Sequence, residues 1–203
     1  MTDYRQALMM KDEAFIGTFH PHESRNYKRE FHLISTGQID PNIWFNKLRR
    51  VHDDQTVFDD LTKRYFEPID VGISGNKLVN EGLELIAESI ITGQGKNFDN
   101  YAVGRGTTSV NIRDTQLADE IIRLDIKDNG GFALNRGTTL FYSLFFPESV
   151  ISATVTETAI NDRLDKTIDN MLLRTLFPSN EYQIHVKGLD SIYAGHIIYL
   201  GTV

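Results

Sequence analysis

The chain has 203 residues, 40% of them hydrophobic and 24% charged, with a formal net charge of −7 and a pI of about 5.3. Those values fit one sizeable folded domain, or a small domain with an N-terminal extension, and argue against disorder along the whole length. The acidic balance argues against a general nucleic-acid-binding surface, and the lack of cysteine excludes disulfides, thiolate metal sites and cysteine nucleophiles.

A cysteine-free chain suits synthesis in a reducing cytosol. The first six residues are polar and lack the apolar core of a signal peptide. The longest apolar runs, such as Leu144-Phe145-Phe146 and Ile197-Ile198-Tyr199-Leu200, are too short to span a bilayer. The expectation is a soluble protein, or one built into an assembly, with no membrane contact.

Residues 1–40 show no sustained period. Leu8, Lys11, Phe15 and Phe19 fall on one side of a short helix, which His20-Pro21 is expected to break. Residues 27–34 mix basic Lys28-Arg29 with Phe31, Leu33 and Ile34, close to strand alternation, before a turn at Ser35-Thr36-Gly37. This segment reads as an arm that needs a neighbour to lie on. Asp40-Pro41 is a strong helix start, a capping acid before a first-position proline. Trp44, Leu48, Val51, Phe58, Leu61 and Tyr65 then follow at helical spacing, opposite a charged face. That stripe is expected to pack on the domain or on a partner subunit. Asp53-Asp54 is a possible break, and Glu67-Pro68 ends the run.

Residues 71–76, with two glycines, read as a flexible linker and as the boundary between an N-terminal unit (1–70) and a β-rich domain (71–203). A second amphipathic helix is expected over 77–92, with Gly82 inside it and Gly93-Gln94-Gly95 stopping it. From there the pattern is β. Strands are expected at 101–103, 120–126, 138–146, 150–158, 171–177, 182–186 and 192–200, with a hairpin-type turn at Asp128-Asn129-Gly130-Gly131. The fold class is α+β, mainly β: an antiparallel sandwich-like domain preceded by an arm and amphipathic helices.

Chemistry-bearing motifs are sparse. Gly104-Arg105-Gly106-Thr107-Thr108 resembles part of a phosphate loop, but it lacks the Walker spacing and lysine and the third glycine of a dinucleotide fingerprint. It reads as a tight turn that leaves Arg105 exposed. His20, His22 and Glu23, with His32 nearby, are the one metal-like cluster, and no second ligand pair follows at zinc spacing. His185 and His196 read as edge or interior polar residues. There is no Gly-x-Ser-x-Gly elbow and no His-Glu-x-x-His. The acidic pairs Asp53-Asp54 and Asp59-Asp60 sit on a solvated helix face, and Glu120 with Arg123 suggests a structural ion pair. No catalytic residue, cofactor or metal is assigned.

Four pieces stand in order: Asn80-Glu81-Gly82-Leu83-Glu84-Leu85-Ile86, then Ala102-Val103-Gly104-Arg105-Gly106-Thr107-Thr108, then Asp114-Thr115-Gln116-Leu117, then Glu120-Ile121-Ile122-Arg123. Together they resemble a pattern of tailed-bacteriophage structural proteins of the tail, baseplate and tail-fibre regions. Met171-Leu172-Leu173-Arg174-Thr175-Leu176-Phe177 resembles a later strand of that family. The resemblance covers the last two-thirds of the chain. It departs in the long segment before the helix and in the charged stretch 162–170. It implies a virion structural component without catalysis, partnered by other phage structural proteins; independently, a β domain with an aperiodic arm and an amphipathic helix suits a subunit that joins copies of itself in a ring. The expected subunit contacts are Trp44, Leu48, Phe58, Leu61, Tyr65 and Arg105. Two other expectations stand beside it: a β-sandwich module that binds a host-surface glycan or receptor, and a small hydrolase built on a carboxylate pair.

Overall fold

The computed structural model of the chain describes residues 13–19, 21–53, 68–75, 77–93, 97–146, 154–165, 170–177, 184–185 and 191–199. Its first element corrects the expected arm. Glu13–Phe19 is a strand, β1, not the end of a helix. Phe15 and Phe19 face one core while Ala14 and Ile16 face another. A strand buried on both faces reads as a continuous apolar run, which periodicity cannot tell from helix.

Pro21 opens a helix instead of breaking one. Helix α1, Pro21–Ser35, carries Tyr27, Phe31 and Ile34 on its buried side, where near-alternation had suggested a strand. Proline suits the first helical position because its missing N–H has no intrahelical partner there. Helix α2, Pro41–Asp53, starts as expected: the Asn42 N–H donates to Asp40 Oδ1 at 2.9 Å. The continuation through Phe58, Leu61 and Tyr65 lies outside the described residues.

The glycine-containing segment expected to be a linker is strand β2, Pro68–Gly75, paired antiparallel with β1 from Phe19↔Pro68 to Glu13↔Gly75. Next come a two-residue strand, β3 (Lys77–Leu78), and helix α3 (Asn80–Thr92). Gly93 ends α3 in the left-handed region, φ 68°, and donates its N–H to the Ser89 carbonyl. The remaining strands are β4 (Asn100–Gly104), β5 (Glu120–Asp125), β6 (Phe132–Arg136), β7 (Thr139–Phe146), β8 (Thr154–Val155), β9 (Glu157–Asn161), β10 (Met171–Leu176), β11 (Ile184–His185) and β12 (Ser191–Tyr199).

They form two antiparallel five-stranded sheets packed together, one in the order β2-β1-β12-β7-β6, the other β3-β10-β9-β4-β5; β8 and β11 pair separately. Strand β1 therefore lies between β2 and β12, so a division at residue 70 would cut through a sheet. The 128–131 turn does not close a hairpin. It carries the chain from β5 in the second sheet to β6 in the first, and the hairpin is β6–β7, turned at Gly137 with φ 60°.

Three apolar layers follow. Between the sheets lie Tyr101, Val103, Leu144, Phe146, Ile160, Leu173 and Ile198, among others. Outside the first sheet, α1 and α2 cover Phe15, Phe19, Phe141 and Tyr193 with Tyr27, Phe31, Trp44, Phe45 and Leu48. Ring pairs there stand 4.5 Å (Tyr27–Trp44) and 5.0 Å (Phe31–Trp44) apart, edge to face. Each such side chain stabilises the fold by about 1.5–3 kcal/mol through burial. Outside the second sheet, Leu117 of the 105–119 loop and Val79 cover Ala102, Ala159 and Met171.

Candidate functional site

The glycine loop after β4 closes on a carboxylate. Glu157, first residue of β9, is fully buried. Its Oε1 accepts the Gly106 N–H at 2.9 Å and the Asp119 N–H at 2.8 Å. Its Oε2 accepts the Ala118 N–H at 3.2 Å, and Nε and Nη2 of Arg174 at 3.0 and 2.7 Å. Arg174, on β10, also donates Nη1 to Asp114 Oδ2 at 2.6 Å and Nη2 to the Thr108 carbonyl at 3.1 Å. Burial pulls the guanidinium pKa down, but its bonds to Asp114 and Glu157 outweigh that and hold it above the ordinary value.

This geometry explains the likeness to a phosphate loop. Backbone N–H groups converge on an anion, as in such loops, but here the anion is the protein's own Glu157. The glycines serve close approach, since neither Gly104 nor Gly106 has positive φ. A Cβ on Gly106 would stand 2.6 Å from the Ala118 Cβ, and one on Gly104 2.6 Å from the Asp119 carbonyl oxygen. The carboxylate is spent on the fold rather than offered to a substrate. Arg105 projects outward as expected, its side chain 60% exposed and its Nε 2.7 Å from Asp119 Oδ2.

The other sequence candidates disperse. Trp44 and Leu48 have no exposed surface, so they are corrected from subunit contacts to the chain's own core. Trp44 Nε1 donates to the Tyr193 hydroxyl at 2.8 Å, which in turn lies 2.7 Å from Ser143 Oγ. Phe58, Leu61 and Tyr65 lie outside the described residues, as does His20. His32 is exposed on α1. Among the described residues no three acidic or histidine side chains group to hold a metal ion. Glu120 and Arg123 do form an ion pair, at 2.7 Å and largely buried.

His196 is an interior residue at the centre of β12. Tyr101 OH lies 2.6 Å from its Nδ1, and the Thr158 and Thr175 hydroxyls lie 3.3 and 3.2 Å from its Nε2. Burial pushes the imidazole down to about 3, so it is neutral at ordinary pH. One tautomer satisfies every group: Tyr101 donates to Nδ1, and Nε2–H is shared between the threonine oxygens.

A groove of about 440 Å³ lies between α3 and the β6–β7 edge. Leu85, Ile86 and Leu172 give it an apolar side, and Asn97, Asp99, Asn135 and Tyr142 give it polar groups. Burial, and then the charge of Asp99, raise the Tyr142 phenol, which stays protonated.

Sequence reasoning missed Glu157 and Arg174 as partners. The available signal was a single charge inside each of two otherwise uncharged strand patterns. The fold defines the class as an antiparallel β-sandwich with α1 and α2 on one outer face, an ion-locked loop on the other, and α3 packed against β10. No family model matches the chain, and no curated protein sequence or solved structure matches it either.

Proposed function

We propose that this chain is a structural component of a tailed-bacteriophage virion, in the tail, neck or baseplate. It acts without catalysis, by assembling with copies of itself in a ring and docking neighbouring phage proteins or fibres. One observation carries the reading: the motif pieces that resemble the phage family interlock. Gly106, Thr108 and Asp114 meet in one network around the buried Glu157–Arg174 pair, Leu117 packs beside it, and Glu81 of the motif helix accepts the Met171 N–H at 3.0 Å. Residues up to 93 positions apart thus serve one architectural unit (81 to 174), as a fold signature should. Immunolabelling of purified particles tests the proposal. Label on the tail, neck or baseplate supports it; particles free of the protein overturn it.

A second reading, a module that binds a host-surface glycan, is favoured by the groove beside α3. Its amide and carboxylate groups next to a tyrosine ring suit a sugar. Glycan-array binding that Asn97→Ala and Asn135→Ala abolish would support that reading instead.

A further inference from the structure

Helix α3 buries one side and leaves a second apolar stripe outside. Leu83 is 44% exposed and Ile91 85%, with exposed Ala87 between them at helical spacing. Glu84 and Glu88 are exposed one position further on, and α3 contains three glutamates and no lysine or arginine. A ridge of this kind, apolar with an acidic margin, asks for a basic receptor with an apolar floor.

The same chain carries a groove with a basic wall. A groove of about 460 Å³ runs between α1 and the turn from β5 to β6, with Lys28 and His32 on its α1 wall, Lys127 (paired with Asp99 at 3.0 Å) opposite, and the half-buried Ala133 over the buried Phe132 as its small apolar part. Lys28 and His32 stand four residues apart on α1, as Glu84 and Glu88 do on α3. Four residues rise about 6 Å along a helix, so the two pairs have matching spacing.

We propose that the exposed ridge of α3 docks into the basic groove of a second copy of this chain, Glu84 and Glu88 facing Lys28 and His32, with Ile91 and Leu83 covered between them. This rests on the assembly reading above and names its contact. Ridge and groove are different surfaces, so a copy that uses its ridge still offers its groove, which is how head-to-tail contacts build rings. Charge steers the encounter and sets the register, while the apolar residues are desolvated.

The test is sedimentation velocity of the full chain over a range of concentrations, at about 0.05 M and about 0.5 M salt. The wild type is expected to self-associate, more weakly at high salt. E84K/E88K and K28E/H32E are each expected to weaken self-association about tenfold or more. Mixed together they should bind each other, because the reversed ridge then meets the reversed groove. Ile91→Ser, at a site too exposed to affect folding, should weaken it as well. Undiminished self-association of E84K/E88K, or no binding in the mixture, overturns this contact and leaves the assembly reading standing. A wild type that stays monomeric yet occurs in particles overturns it too, since the partner is then another protein. A monomer absent from particles overturns both.

Discussion

Replacing Arg174 by methionine keeps much of its apolar stem and removes its charge. The guanidinium makes two bonds to Glu157, one to Asp114 and one to the Thr108 carbonyl. Its loss leaves the fully buried Glu157 carboxylate held only by the N–H groups of Gly106, Ala118 and Asp119. Breaking a buried pair from one side costs about 3–5 kcal/mol, because the remaining charge is uncompensated. For a chain of this size each kcal/mol moves Tm by about 2–4 °C, so the expected drop is about 6–20 °C. Glu157→Gln should cost less than Arg174→Met, and the double variant should fall short of the sum, with a coupling of about 0.5–3 kcal/mol. Urea denaturation of the four proteins closes the cycle. An Arg174→Met variant within about 1 kcal/mol of wild type would refute the view that this pair locks the glycine loop.

Gly82→Ala, which stabilises an ordinary exposed helix, should instead destabilise here by about 1–3 kcal/mol, because the new methyl meets the Leu172 backbone; Gly75→Ala, with open space around it, is the control in the same thermal melts. Acid should unfold the wild type more readily than His196→Gln. The unfolded imidazole takes a proton near pH 6.5 and the folded one only near 3, so this stability is present above 6.5 and lost as pH falls toward 3. By pH 4 the difference reaches about 3 kcal/mol, read by urea denaturation at pH 7 and pH 4. Trp44→Phe should lower stability by about 1 kcal/mol through the lost bond to Tyr193, measured by chemical denaturation, without changing self-association in sedimentation.

Elements whose signals are local were legible in the sequence. Asp40-Pro41 starts α2 as expected, Gly93 ends α3, and strands β7, β10 and β12 fall within or close to the expected spans. What failed depends on distant partners. Glu13–Phe19 is a strand because β2 and β12 flank it, and neither neighbour is visible from its own seven residues. Val71-Gly72-Ile73 looks like a linker by its glycine and becomes an edge strand by pairing with β1. The glycine signal at Gly104 and Gly106 stands at the correct positions but has a different cause from the expected turn. Gly104 and Gly106 stand close to Glu157 and its neighbours, a side chain some fifty residues later, instead of bending the chain. The stripe of Trp44 and Leu48 was correctly placed on a helix, but periodicity cannot say whose surface covers it; here it is the chain's own first sheet. Arg105 alone of the described contact candidates remains on the surface.

The central claim is that this protein is a building block of a virion, and a density map of the whole particle tests it most directly. The account predicts this β-sandwich in several symmetry-related copies within the tail, neck or baseplate, each touching the next. A map in which every tail, neck and baseplate density is filled by other chains would contradict it.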